Sequence, residues 1–391
     1  AAQGSAEYAA RLAKLTLAER GVAKVTPNRA YGVAVHPSTD KLVVAIGDRD
    51  GNLGLWNADA PEDAENNGVV CFKPHTATVN VVQFHPTTPT KLYSTSYDGT
   101  VRCFDMVKQS FDLVALFTPG RDTWLQHTHV SPCGHTMYLG DSDGLVAAHD
   151  LRSNETIWAA YAHDNKVQTV NVHPTIPHYL ATSSLDRSVK IFDLRKVSSN
   201  KKAASTASSA SKSEGSSASG DDHPSMDPLA TFVESRSVNC AYWSPSGNQL
   251  LSVTQSNFLR LFNKPYEQSG KAIPVAGEGG TKAGVQSISH DNQTGRYLPV
   301  FHAAWDPKCV GGSEAFVVGS MKQPRMVEVF TSPADLGAKG AGGGGGGGAK
   351  PTRVMCFGGE YLNSVQSRNA FHPTHDIVVC GNASGRVHVF R

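Results

Sequence analysis

From Val33 onward the chain writes one pattern of apolar and polar positions seven times. Each unit is an apolar alternating run ending in an X-Pro turn, a second run, a Gly/Asp/Ser turn and a third run. That is the two-residue period of half-buried strands. The units are VAVHPSTDKLVVAIGDRDGNLGLW, VVQFHPTTPTKLYSTSYDGTVRCF, THVSPCGHTMYLGDSDGLVAAHD, VNVHPTIPHYLATSSLDRSVKIFD, CAYWSPSGNQLLSVTQSNFLRLF, AAWDPKCVGGSEAFVVGSMKQPRMVEVF and NAFHPTHDIVVCGNASGRVHVF. Their turn prolines are Pro37, Pro86, Pro132, Pro174, Pro245, Pro307 and Pro373, the first three intervals being 49, 46 and 42 residues. A four-stranded propeller blade takes roughly 40 to 45 residues. Seven units therefore predict an all-β fold, a seven-bladed β-propeller. The last unit ends at Arg391 after its third strand, and GVAKVT (residues 21–26) can supply the missing fourth and close the ring.

Ahead of the repeats, residues 5–20 place Tyr8, Leu12 and Leu15 at helical spacing, with Ser5 as N-cap and Gly21 as a stop. This predicts an N-terminal helical segment over 1–20 before a propeller over 21–391, its apolar stripe docked on its own domain or offered to a partner's groove. Two low-complexity insertions interrupt the repeats. Residues 198–222 are rich in Ser, Ala and Lys, and residues 337–350 are nearly all glycine. Neither can offset its ordering entropy by burial, so both read as mobile loops. Each follows a third strand and so lies on the rim carrying first-to-second and third-to-fourth connections, here the lower rim. The second-to-third turns and blade-to-blade connections form the upper rim.

Composition narrows the function. The formal net charge is +2, so no field of the whole chain drives it onto nucleic acid or an anionic membrane, and any basic surface must be local. Seven scattered cysteines without CxxC spacing argue against a disulfide scaffold or a zinc cluster and predict a reducing, intracellular setting. No apolar run approaches a membrane span. GDSDG (residues 140–144) matches G-x-S-x-G, but it is a turn between two strands rather than the strand-to-helix elbow a nucleophilic serine needs. With no other catalytic constellation, the chain reads as a non-enzyme without cofactor or metal. His75 with Asp98 and His163 with Asp186 sit where WD repeats place a histidine before the first strand and an aspartate in the second-to-third turn, which predicts structural hydrogen bonds. The His-Pro pairs at His36, His85, His173 and His372 read as turn chemistry.

The stretch SISHDNQTGRYLPVFHAAWDP (residues 287–307) breaks the rhythm with a polar loop and then enters an apolar run that predicts a strand. HDNQTGRYLPVFHAAWDP, with GDRDGNLGLW, KVTPNRAYGVAVHP and VGSMKQPRMVEVF, closely resembles the WD repeat-containing protein 76 family, including its fungal UV-damaged-DNA-binding members. More distantly, AHDNKVQTVNVHPTIPHYLATSSLDRSVKIFDLRK resembles the small subunit of the UV-damaged-DNA-binding complex. The resemblance runs from about Lys24 to Arg391, outside the insertions.

The resemblance implies a nuclear, chromatin-associated, monomeric propeller that binds duplex DNA, preferentially damaged, and acts as substrate receptor of a cullin-4 ubiquitin ligase. Relatives dock on the ligase adaptor through an Asp-x-Arg triplet and an N-terminal helix. Asp193 and Arg195 fit that triplet, as do Asp150 and Arg152, with Phe192 where the usual motif has tryptophan. The damage-binding subunit inserts a Phe-Gln-His wedge from its equivalent loop. This sequence has none there, so Tyr297 is the candidate wedge or stacking platform, and His290, Asn292, Gln293 and Arg296 read as phosphate and groove contacts. Arg29, Arg49, Lys322 and Arg325 complete the DNA-binding set, with Tyr31, Trp124, Lys166, Arg187, Arg236 and Arg368 on the same rim. The competing reading is an interaction scaffold whose rim binds a peptide or histone tail without touching DNA.

Overall fold

The computed structural model describes residues 2–116, 123–197, 224–268, 272–275, 284–308, 312–333 and 350–391. The two insertions, Lys350 apart, lie outside them. Seven antiparallel sheets stand round an axis, each running from an inner strand outwards. The inner strands are Ala30–Val35, Val79–Phe84, Leu125–Val130, Val167–Val172, Val238–Trp243, Ala304–Trp305 and Gln366–Phe371, for blades 1 to 7. Blade 7 takes its outer strand from Val22–Lys24, which pairs with Arg386–Phe390 through Val22 with His388 and Lys24 with Arg386. The GVAKVT segment closes the ring, as the strand count requires.

Both faces of a blade are apolar because each sheet is sandwiched between two neighbours. Between blades 4 and 5, Ala181, Ile191 and Phe232 pack on Val238, Trp243 and Phe262, with the two phenylalanine rings 4.5 Å apart. Fully burying one such side chain is worth about 1.5–3 kcal/mol. Between blades, the His-Pro turns act as polar pins. The backbone N–H groups of Thr175 and Ile176 donate to His173 Nδ1 at 3.2 and 3.0 Å, which leaves its Nε2–H to donate to Gly247 O of the next blade at 3.0 Å. His85 reaches Gly134 O and His372 reaches Ser38 O in the same way. Gly247 has φ +78°, and a Cβ there would lie 2.0 Å from His173 Cε1, so the turn that receives the imidazole needs glycine. The predicted WD pairs form as well: His163 Nδ1 lies 2.7 Å from Asp186 and its Nε2 2.6 Å from Thr182 Oγ1, while His75 Nδ1 lies 3.1 Å from Asp98.

Four elements differ from the sequence expectation. The helix spans Ala2–Leu12 rather than 5–20, and Ser5 lies inside it, its hydroxyl 2.9 Å from Thr331 Oγ1. It stops because Thr16 exchanges two 3.1 Å backbone hydrogen bonds with Arg391, which draws residues 13–18 out along the last strand. Tyr8 and Leu12 are buried on the lower rim beside Phe357 and Phe390, and the Tyr8 hydroxyl donates to Asp306 at 2.6 Å. The apolar stripe thus docks in cis. Blade 4 carries a fifth strand, Ile273–Pro274, parallel to Ala230–Val233 and supplied by the third-to-fourth connection of blade 5. The same connection in blade 4 returns against blade 3, where Met226 N–H donates to Tyr161 O at 2.8 Å. Finally, the inner strand of blade 6 is only Ala304–Trp305, and Val300 O ahead of it accepts from Arg368 of the adjacent blade 7.

Candidate nucleic-acid interface

The polar loop of the 287–307 segment leaves the outer strand of blade 5, Val285–Ser289, on the upper rim. Two of its predicted contact residues face inward. Asn292 is fully buried, donates to Thr254 O at 2.9 Å and Phe258 O at 3.2 Å, and its own amide N–H is held by Asn257 Oδ1 at 3.1 Å. His290 is buried against Phe301, with Nδ1 2.7 Å from Asn292 Oδ1 and Nε2 3.3 Å from Glu328 Oε2. The Asn292 amide is satisfied inside the protein and the buried His290 ring faces Glu328, so these residues shape the loop and present nothing to a ligand. Their assignment as DNA contacts is corrected accordingly.

Glu328, from the third strand of blade 6, is the hub of that anchor. Its buried carboxylate also receives Lys322 Nζ at 3.1 Å and Arg353 Nη1 at 2.5 Å. Burial alone would raise its pKa, but His290, Arg353 and Lys322 together hold it well below the usual carboxylate range. Lys322 is therefore tied to the anchor while its side chain stays half exposed.

The remaining loop residues face out. Gln293, Arg296 and Tyr297 are exposed, Tyr297 by 71%. Gln293 Nε2 donates to Gln255 O at 2.7 Å, which ties the loop to the neighbouring turn of blade 5. Tyr297 reaches over blades 6 and 7 towards the connection that enters blade 1, where the Arg29 guanidinium sits 6.0 Å from its ring centre. A second pair stands elsewhere on this rim, with Lys166 5.8 Å from the ring centre of half-exposed Trp124. Arg49, Arg187 and Arg236 are exposed on the upper rim, and Arg325 is half-buried with Nη1 donating to Met321 O at 2.7 Å. Among the acids that could cancel this charge, Asp48 and Asp141 are buried and spend their oxygens on turn N–H groups. Desolvation raises Asp141 to about 6. Asp50, Asp143, Asp164 and Asp291 are exposed among the cations.

One feature of the rim escapes the strand-by-strand reading. Six of the seven inner strands carry a bulge after their first pair, which leaves Tyr31, Asn80, Gln126, Gln168, Asn239 and Ser367 unpaired at the mouth of the axial channel. The amides link laterally: Gln126 donates to Gln168 at 3.1 Å and Gln255 to Asn239 at 2.8 Å. A recurrent polar residue at the second position of the inner strand is the signal that marks this ring. Arg368 follows the bulge of blade 7. It is only 5% exposed and sits inside the channel rather than on the rim.

The Asp-Leu-Arg triplets lie on the lower rim. Asp193 accepts both Nε and Nη2 of Arg195 at 2.9 and 2.7 Å, an arrangement that fixes a guanidinium whose side chain is 64% exposed. That guanidinium holds the Asp193 carboxyl down at about 2. Asp150 instead caps the backbone N–H groups of Arg152 and Ser153, leaving the Arg152 side chain exposed without an ion pair among the described residues. Phe192 is fully buried beneath Leu194.

Comparison with known proteins agrees with the architecture. The family model "WD domain, G-beta repeat" matches residues 67–105, 155–193 and 226–263. WD repeat-containing protein 76 of Xenopus laevis is 32% identical over 98% of this chain and 56% of its own length, and that of Mus musculus is 32% identical over 98% and 52%. DNA damage-binding protein CMR1 of Phaeosphaeria nodorum is 31% identical over 93% of this chain and 65% of its own. The chain thus spans about half to two thirds of the length of the curated relatives it matches. The chain is a WD-repeat β-propeller, similar over nearly its whole length to WD repeat-containing protein 76 and to the fungal DNA damage-binding protein CMR1.

Proposed function

We propose that this propeller is a nuclear, chromatin-associated, non-enzymatic protein that binds duplex DNA, damaged duplex preferentially, through its upper rim. The observation that carries the reading is the outward half of the 287–307 loop: an anchored base that presents Arg296 and the Tyr297–Arg29 pair beside the mouth of the axis. Arg29, Arg49, Arg296, Lys322 and Arg325 contact phosphates, Gln293 a groove edge, and Tyr297 a base or a loosened stack. The fungal relatives, named DNA damage-binding proteins, point the same way.

Fluorescence polarisation with intact and UV-irradiated duplex across salt tests this. Affinity falls steeply with salt, Arg296→Glu weakens binding at least about tenfold at low salt and flattens the slope by about one unit, and Tyr297→Ala costs more on irradiated than on intact duplex. A flat salt response unaffected by Arg296→Glu would instead support the scaffold reading, a rim that binds a peptide or histone tail.

The lower rim supports a second role, docking on the cullin-4 ligase adaptor through Arg195, whose guanidinium is held rigid by Asp193 yet exposed. Tyr8 and Leu12 are committed to the propeller, so the helix contributes at most its outer face, with Glu7 and Arg11. Pull-down of the adaptor with Arg195→Ala retains well under half of the wild-type capture. Undiminished capture removes Arg195 from that role.

A further inference from the structure

Inside the channel, below the ring of bulge residues, lies a cavity of about 330 Å³. Its wall includes Asn80, Asn171, His127, His129, His302 and Arg368 and, among the described residues, no aspartate or glutamate. Arg368 makes two hydrogen bonds there, Nε to Tyr31 O at 2.5 Å and Nη1 to Val300 O. Its Nη2 has no acceptor, and no carboxylate pairs with it, among the described residues. A guanidinium cannot shed its charge, and arginine is almost never buried to this degree unless that charge is paired.

The imidazoles add donors of fixed direction. Val170 N–H donates to His127 Nδ1 at 3.4 Å, so the proton of neutral His127 is on Nε2 and goes to Tyr242 Oη at 3.2 Å. Tyr242 then donates to His302 Nδ1 at 3.0 Å, which places the His302 proton on Nε2. His129 Nδ1 accepts from Val172 N–H at 3.4 Å, which places its proton on Nε2 too. Burial keeps the imidazoles neutral, with His127 lowered to about 3 and His129 to about 4. The Nε2–H groups of His302 and His129 have no acceptor among the described residues, and both side chains line the cavity.

We infer that the axial cavity is a binding site for one small oxyanion, a phosphate or carboxylate group, held by the Arg368 guanidinium with N–H donation from His302 and His129. A fixed cation, neutral donors and a wall without acidic groups favour an anion and repel a lysine or arginine side chain. The site goes beyond the DNA reading, because none of its groups is on the rim surface assigned to duplex.

Calorimetric titration of the whole chain with inorganic phosphate, and separately with acetate, tests it without DNA. One equivalent binds saturably, the tighter of the two anions telling a tetrahedral from a planar group. Arg368→Met weakens that anion at least about tenfold, whereas Arg368→Lys, which keeps the charge, loses less. Should Arg368→Met fail to fold, the imidazole ¹⁵N–¹H resonances of the unaltered protein decide: saturable shifts at His302 and His129 support the site. Absence of saturable binding by either anion, unshifted imidazoles, or undiminished binding in a folded Arg368→Met variant overturns it.

Discussion

Glu234→Ala is expected to lower the stability of the propeller by about 3–5 kcal/mol, read as a fall in the midpoint of urea unfolding. Glu234 follows the outer strand of blade 4 and meets Arg260 of blade 5, with Nε 3.1 Å from Oε1 and both side chains almost wholly buried. Arg260 lies 4.0 Å from the centre of the Phe258 ring and also donates to Ser287, on the strand that launches the polar loop. Removing the carboxylate takes the Glu234 partner away from a buried cation that cannot be neutralised. The pair itself need not be a net gain, since burial outweighs Arg260 and raises the Glu234 pKa. Glu234→Leu with Arg260→Met should therefore recover most of the loss. A double variant as unstable as Glu234→Ala would show that the other Arg260 contacts, Ser287 among them, matter more than the charge pair.

The parts of this molecule that were legible in the sequence are those set by local period. Strand alternation, X-Pro turns and Gly/Asp turns recur often enough to specify seven blades, and the strand count alone located the closing segment within residues 21–26, where Val22–Lys24 pairs with the last strand. What failed was decided by partners distant in sequence. The heptad-like spacing of Tyr8, Leu12 and Leu15 says nothing of Arg391, whose backbone pulls Thr16 out of the helix. Likewise, His290 and Asn292 are as polar as Gln293 and Arg296, and only Glu328, Thr254 and Phe258 decide which of the four turn inward. The channel ring is an intermediate case: its polar residues recur at one strand position, but the bulges that expose them are visible only in the registers.

The loop anchor carries the second large effect. Glu328→Gln keeps the side-chain shape but removes the charge that His290, Lys322 and Arg353 share. The loss is about 1–3 kcal/mol, below that of a wholly buried pair because Lys322 and Arg353 are half exposed and already screened by water. Its pH dependence has a definite sign. The folded-state pKa of Glu328 lies below the unfolded value, about 4.3, so the wild type holds this contribution above that pH and loses it as pH falls towards the folded value. Glu328→Gln lacks the contribution at neutral pH and has none to lose, so the two stability curves converge in acid. Amide exchange at residues 290–294 should quicken in the variant, because Asn292 is positioned through His290. If stability fell equally at every pH, or exchange in the loop were unchanged, the charge at Glu328 would not be what holds the Arg296 and Tyr297 surface in place.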